Sequence, residues 1–387
     1  MKYLILPILA FWPFFAQIKI NMGTSIPDIS VLRVVVLFLI VTVPLRTLFG
    51  GRKIVFDFTM KCFVAFSLLF VVLSAINALP TIEIIQNYLD IFFIPISFYF
   101  VIVNTKDEIS KISIILASIV SGVSIGAIGI AESIVGYNIY GPIGKGINIA
   151  GYYRTSGPFH DGITYAAILL FFIAFYLFIL QAKKLSHPLI KYLLIGAVCI
   201  CVVASVAQLS RACILVLVMI LAVWFLGVNF RTIVIVYLLT LMFVVPLYLC
   251  KNKIIHSTLY KDRVEDISTM TGRYERYERL LHIYKSNPLL GIGYSNLSRR
   301  INPHNSYLQY LIEFGLFGFV FWLLLIFSPL LVLKKLSKDK AIVSSFNRYI
   351  ISLLLLITLI PMTISALGSS YFMLTYFISA GIVQLFG

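Results

Sequence analysis

His304 and Asn305 stand immediately before a long apolar segment, and nine residues separate the pair from a Gly315-x-x-Gly318 step. An imidazole at the mouth of an apolar helix is a candidate general base, because it titrates near neutral pH and can take a proton from a hydroxyl. Asn305 is placed to orient it. Glu313, two turns into the same segment, puts a carboxylate where charge is expensive, which makes it a functional candidate. Ser306 and Gln309 have the S-x-x-Q spacing of a capping box, so a helix is expected to start there. Gly315 and Gly318 would thin that helix for close packing against a neighbour.

Three further clusters supply cations. In Tyr152-Tyr153-Arg154-Thr155-Ser156-Gly157-Pro158-Phe159-His160-Asp161, Arg154 is suited to an oxyanion, Tyr153 to a sugar platform and Asp161 to an N-cap. Without a ligand, the same segment reads as a re-entrant loop packed on its tyrosines. Ser210-Arg211 puts a guanidinium at a membrane boundary, where it either snorkels to lipid phosphate or faces inward to a ligand phosphate. The third cluster, from Thr271 through Arg279, reads as a helix capped by Thr271 and stopped at Asn287-Pro288. At about 100° per residue, Tyr274, Tyr277, Leu281 and Tyr284 share a face flanked by Arg273 and Arg276. Glu275 and Glu278 lie opposite, and Glu275 pairs with Arg279 across one turn. This helix either lines a cleft that holds a pyrophosphate or lies on the bilayer. A guanidinium's planar fork matches phosphate oxygens in pairs. Gly291-Ile292-Gly293 reads as a flexible turn; it has no preceding strand, so it is not a dinucleotide fingerprint.

The elements that must carry these groups are membrane helices. The chain has 387 residues, 60% of them hydrophobic, with a mean hydropathy of +1.01. About twelve continuous runs of roughly 20 apolar residues are expected to span a bilayer, centred near residues 11, 40, 68, 95, 122, 171, 201, 219, 240, 320, 354 and 377. Continuity excludes a β-barrel, whose strands alternate. The stretch from Tyr3 to Phe15 has no small-residue cleavage site before Gln17 and is taken as a retained span. The run from Tyr192 to Gly227 is too long for one ordinary span, so a tight reversal is expected at Gln208–Arg211.

The net charge of +16 points to nucleic acid only in a soluble protein. Here Arg46, Arg52, Lys53, Lys106, Lys111, Lys183, Lys184, Lys191, Lys334, Lys335, Lys338, Lys340 and Arg348 fall on one side of a twelve-span topology. That sets both termini in the cytoplasm. Residues 251–303 fall on the other side yet hold ten Lys/Arg. An anionic ligand or anionic headgroups would account for them. The whole of 1–387 reads as one all-α polytopic membrane domain, with an extracytoplasmic loop over 250–305 that contains short helices. The five cysteines lie in or beside apolar runs without metal-ligand spacing, and no Asp-x-Asp metal motif occurs. No metal or cofactor is expected.

Arg154-Thr155-Ser156-Gly157-Pro158-Phe159, Leu209-Ser210-Arg211, Thr271-Gly272-Arg273 with Asn287-Pro288-Leu289-Leu290-Gly291-Ile292-Gly293, and His304-Asn305 through Gly315 and Gly318 occur in that order. Together they resemble the O-antigen polymerase and O-antigen ligase superfamily of bacterial membrane glycosyltransferases. His160-Asp161 departs from the more usual Asn-rich ending of the first motif. The resemblance implies a metal-independent inverting transferase acting on undecaprenyl-diphosphate-linked glycans at the periplasmic or external face of the bacterial inner membrane. Arg154, Arg211, Arg273 and Arg276 would hold the diphosphate, with Tyr153, Tyr277 and Glu313 also at the substrate and His304 with Asn305 at the acceptor hydroxyl. The acceptor would be a second lipid-linked glycan, for a polymerase, or lipid A–core, for a ligase. Membrane lipids and a chain-length regulator would be partners, and nucleic acid would not. A flippase or other transporter is the reading of a different class. It would suit Asp90, Glu132 and Glu313, and would call for inverted repeats or interrupted helices in both halves, neither of which is evident in the sequence.

Overall fold

The computed structural model describes residues 2–20, 29–51, 53–77, 82–105, 108–139, 148–149, 152–153, 155–159, 161–182, 188–208, 210–225, 267–297, 305–336, 343–363 and 369–386. The helices are α1 (Lys2–Phe15), α2 (Val31–Phe49), α3 (Phe58–Ile76), α4 (Ile82–Tyr88), α5 (Ile94–Asn104), α6 (Lys111–Val135), α7 (Gly162–Gln181), α8 (Pro188–Ala207), α9 (Arg211–Phe225), α10 (Ile267–Ser286), α11 (Ser306–Leu336), α12 (Val343–Thr363) and α13 (Ser370–Gln384). A π-helical turn, Leu89–Phe93, joins α4 to α5. The only strands among the described residues form two-residue ribbons, Lys19–Ile20 with Ile29–Ser30 and Asn148–Ile149 with Tyr152–Tyr153, both antiparallel.

Eight described helices are long and apolar enough to cross a membrane, and α1 and α9 are shorter apolar helices. The protein is an all-α polytopic membrane protein. The span expected near residue 240 lies outside the described residues. The run from Tyr192 does divide at 208–210, between α8 and α9.

Helix α7 is apolar on every side and buried from Thr164 to Ile179, as befits a helix enclosed by other helices. Helices α2 and α3 instead leave large apolar side chains such as Phe38, Val41, Leu68 and Val71 exposed, the surface a bilayer would cover. Helix α6 meets α7 along small residues. The Tyr165 and Tyr176 hydroxyls donate to the carbonyls of Ile125 (3.3 Å) and Ser118 (2.6 Å). Both rings occupy the space that a side chain at Gly129 or Gly122 would fill.

The two ends of the bundle differ in their chemistry. At one end, Arg46 pairs with Glu108 at 2.9 Å, and Arg348 donates to Gln181 Oε1 (2.6 Å) and the Trp224 carbonyl (3.2 Å). Lys111 lies over the Phe386 ring. These are residues that the charge pattern groups together. The opposite end carries the clusters that could do chemistry.

Candidate functional site

Thr155 through Phe159 are buried, and a single carboxylate fixes them. Glu132, near the end of α6, accepts the backbone N–H groups of Ser156 (3.0 Å), Gly157 (2.8 Å) and Ile139 (3.1 Å). Gly157 has φ +56°, and the Tyr165 ring lies where a side chain would begin, so only glycine fits. Phe159 packs edge-on to Tyr371 at 4.9 Å and beside Trp12. The Gln17 amide donates to the Pro158 carbonyl and to the Tyr371 hydroxyl, the latter at 2.8 Å. Asp161 then caps α7, accepting from Ile163 N (3.3 Å) and Thr164 N (2.8 Å), as its position in the sequence anticipates.

The start of α9 abuts this segment. Gln208 is fully buried, and its amide, with the Thr155 carbonyl, crowds Gly162. The Cys213 thiol faces the Ile163 carbonyl at 3.8 Å. Two clusters separated by some fifty residues of chain are thus neighbours, and Arg211 is the exposed first residue of α9. Arg154 and His160 lie outside the described residues, as does the side chain of Tyr153.

The third and fourth clusters also meet, through backbone. Helix α11 is broken at Gly315, whose φ of +64° and ψ of −176° are accessible essentially to glycine alone. The groups released by the break bond to the segment after α10. Ile292 N donates to Ile312 O (3.0 Å), Gly293 N to Glu313 O (3.0 Å), Leu316 N to Pro288 O (2.9 Å) and Phe317 N to Leu289 O (3.3 Å). A Cβ at Gly291 would meet the Gly315 backbone, and one at Gly315 would meet Gly291. Residues 288–293 are therefore not the flexible turn expected, and Gly315 does more than thin a helix. Gly318 does allow close packing, against Leu73 of α3.

Three local expectations are corrected here. Asn305 is the cap of α11, because its Oδ1 accepts from Leu308 N at 3.0 Å and its carbonyl from Gln309 N at 3.0 Å. Ser306 is the first helical residue, so no Ser306–Gln309 capping box forms. Helix α10 starts at Ile267, which puts Thr271 inside it. Its buried stripe runs through Leu280, with Tyr277, Ile283 and Tyr284 packed around Leu297 and Ile312. Leu281 is half-exposed; the stripe is turned by one residue because the α11 surface selects Leu280. Arg276 is partly buried and Glu313 fully buried. His304 lies outside the described residues, as does the side chain of Arg273.

Between the two junctions lies a polar cavity of about 400 Å³, within the range of small-molecule pockets. Gln17, Arg33, Gln86, Asn87, Asp90 and Tyr371 line it. Gln17 connects it to Pro158, and the Asn87 amide donates to Ser295 Oγ at 3.3 Å. Asp90 sits on the π-helical turn and takes Arg33 in a two-pronged pair: Nε to Oδ1 at 2.9 Å and Nη2 to Oδ2 at 2.6 Å. Burial pushes the Tyr294 phenol upward, and Tyr310, Glu313 and Asp90 add to it, so Tyr294 stands within electrostatic reach of both carboxylates. The sequence signals for this wall were Asp90 inside an apolar run and Arg33 near the start of another. Their pairing, 57 residues apart, is tertiary.

Interrupted helices do exist in both halves, at Leu89–Phe93 and at Gly315. The backbone groups freed at Gly315 are taken by residues 288–293 and not turned toward a cavity, as a transporter's broken helices are. Glu132 is spent on a loop, and Asp90 is already paired with Arg33, so two of the three carboxylates that suited a transporter are engaged within the protein.

Residues 196–323 match the family model described as O-antigen ligase. The match contains Arg211, Arg273, Arg276, Asn305, Glu313 and the whole Gly291–Gly315 junction, and it ends short of the cavity helices and the Glu132-anchored segment. Among curated proteins, none matches the chain.

Proposed function

We propose that this protein, whose residues 196–323 match the family model described as O-antigen ligase, is a member of the O-antigen polymerase and ligase superfamily and transfers glycan from undecaprenyl diphosphate at the outer face of the cytoplasmic membrane. It extends O-antigen or a related surface polysaccharide by adding the growing chain to another lipid-linked repeat unit. The observation that supports this reading is the contact of Gln208 with Thr155 and Gly162 and of Cys213 with Ile163, which packs the start of α9, where Arg211 stands, against the residues that follow the first arginine motif.

The chemistry needs two things. The acceptor hydroxyl must lose its proton as its oxygen attacks the anomeric carbon, and the bond from that carbon to the diphosphate oxygen must break with its electron pair leaving on the lipid diphosphate. His304 takes the proton. Arg154, Arg211 and Arg273, with Arg276 in reserve, carry the leaving charge that a metal ion carries elsewhere, each well-placed donor contributing about 3 kcal/mol. Direct displacement inverts the anomeric centre. Tyr153 and Tyr277 offer ring faces to sugar, Glu313 is a buried carboxyl group beside the loop that α11 fixes, and Asn305 orients His304.

A second reading, transfer to lipid A–core, is favoured by the ligase description of the matched family. Deleting the gene and resolving envelope glycans by gel separates the two. Single-repeat caps mark a missing polymerase, and uncapped core with lipid-linked polymer marks a missing ligase. Unchanged glycans would end both. Within the protein, His304→Ala should abolish extension at undiminished membrane levels; normal polymer in that variant removes the base assignment. Arg211→Lys should be nearly as harmful as Arg211→Ala, because a point charge cannot reproduce the fork.

A further inference from the structure

We infer that the cavity between the two junctions is a sugar-binding subsite that holds a neutral, hydroxyl-rich ring of the glycan and not its diphosphate. The inference rests on the glycan-transfer reading for the identity of the ligand and on the cavity's own chemistry for its class.

Among the described lining residues, the guanidinium is already matched. The fork of Arg33 is occupied by Asp90 through both oxygens, so a phosphate would have to displace a carboxylate to reach it. The Arg33 side chain is 11% exposed and that of Asp90 38%, so the guanidinium serves as a brace and the carboxylate is the face presented. An ionised carboxylate accepts only, and it has lone pairs beyond those the fork uses. Around it stand the amides of Gln86 and Asn87 and the hydroxyls of Ser30, Ser370 and Tyr371. Each of these can donate and accept, as sugar hydroxyls do, whereas a phosphate oxygen can only accept. Lys19 is the other cation among the described lining residues, and it is exposed.

The backbone is also unusual at this wall. The π-helical turn inserts a residue at Asp90, a distortion frequent at functional sites. Ser295, to which Asn87 donates, is the only non-glycine with positive φ (+65°) among the described residues, and such conformations persist where the surroundings enforce them. The position between the two motif-bearing junctions allows a sugar held here to belong to the same glycan whose diphosphate the arginines would hold.

The test uses the full chain in lipid nanodiscs and, as probe, the phosphate-free oligosaccharide released by mild acid from the host's own lipid-linked glycan. Saturation-transfer NMR reads contact and Kd. Gln86→Ala and Asn87→Ala are each expected to weaken binding about tenfold, the loss of one hydrogen bond, and inorganic pyrophosphate should not displace the probe. Asn87 also bonds Ser295, so Gln86→Ala carries the test if the Asn87 variant misfolds. Absence of binding to the natural protein, equal affinity in Gln86→Ala, or displacement by pyrophosphate overturns the subsite. Transfer from the lipid diphosphate is followed in parallel. Cavity-dependent binding without transfer keeps the subsite and removes the transferase reading. Transfer with cavity-independent binding does the reverse.

Discussion

Two segments that resemble family motifs are held against the helix bundle by opposite means. Residues 155–159 are fixed by a side chain, the Glu132 carboxylate collecting three N–H groups. Residues 288–293 are tied to the break in α11 by four backbone hydrogen bonds, with Ile292 packed beside Leu280 and Ile312. The first device needs a charge inside an apolar helix, which is costly unless fully hydrogen-bonded. The second needs no polar side chain, but it requires two glycines in left-handed conformation with their backbones in contact. A side-chain anchor can be weakened by degrees. A backbone anchor tolerates nothing larger than hydrogen at Gly291 or Gly315.

The largest expected effect therefore belongs to the backbone anchor. Gly315→Leu meets about 1–3 kcal/mol of conformational strain and, in addition, the carbonyl of Leu289 and the N–H of Gly291. The folded protein should fail to accumulate, read as loss of the monodisperse peak of a fluorescent fusion on size exclusion. A normal peak with unchanged thermal midpoint would show that the break in α11 is not required.

Glu132→Ala comes next. The two buried N–H groups of Ser156 and Gly157 lose their acceptor at about 1–3 kcal/mol each, partly recovered by relaxation or water, and the more exposed Ile139 N–H turns to solvent. The bundle should persist with a lowered thermal midpoint and lost glycan extension. Glu132→Gln keeps the amide oxygen for Ser156 and Gly157 and should fall between. If alanine and glutamine behave alike and both extend glycan normally, the carboxylate is not what holds the segment.

The contrast also explains how much could be read from the sequence. Apolar runs gave the helices, the polar break at Gln208–Arg211 gave the division between α8 and α9, and Asp161 announced the start of α7. Each signal is local, set by hydropathy or by a cap one turn away. Glu132 and Asp90 were visible as carboxylates in apolar runs, but their partners lie 7 to 57 residues off and are chosen by packing. Gly315 and Gly318 looked equivalent. Only the approach of residues 288–293 decides that one breaks the helix and the other merely admits Leu73. Leu280 and Leu281 are adjacent and alike, so a one-residue rotation of α10 could not be told from composition.

The smallest effect sharpens the comparison at the point where the proposed base begins. Asn305 and Ser306 are both good capping residues, and the structure uses Asn305. Removing the cap by Asn305→Ala should cost about 1 kcal/mol, a shift of a few degrees in thermal midpoint. Asn305→Asp retains the capping oxygen and deletes the amide N–H₂. If Asn305 acts only by fixing where the chain enters α11, the aspartate variant should extend glycan normally while alanine slows it in proportion to the lost cap. If its amide orients His304, aspartate should be as slow as alanine although its thermal midpoint matches the natural protein. The pair thus separates a positioning role through the backbone, the device of the 288–293 junction, from one through a side chain, the device of Glu132.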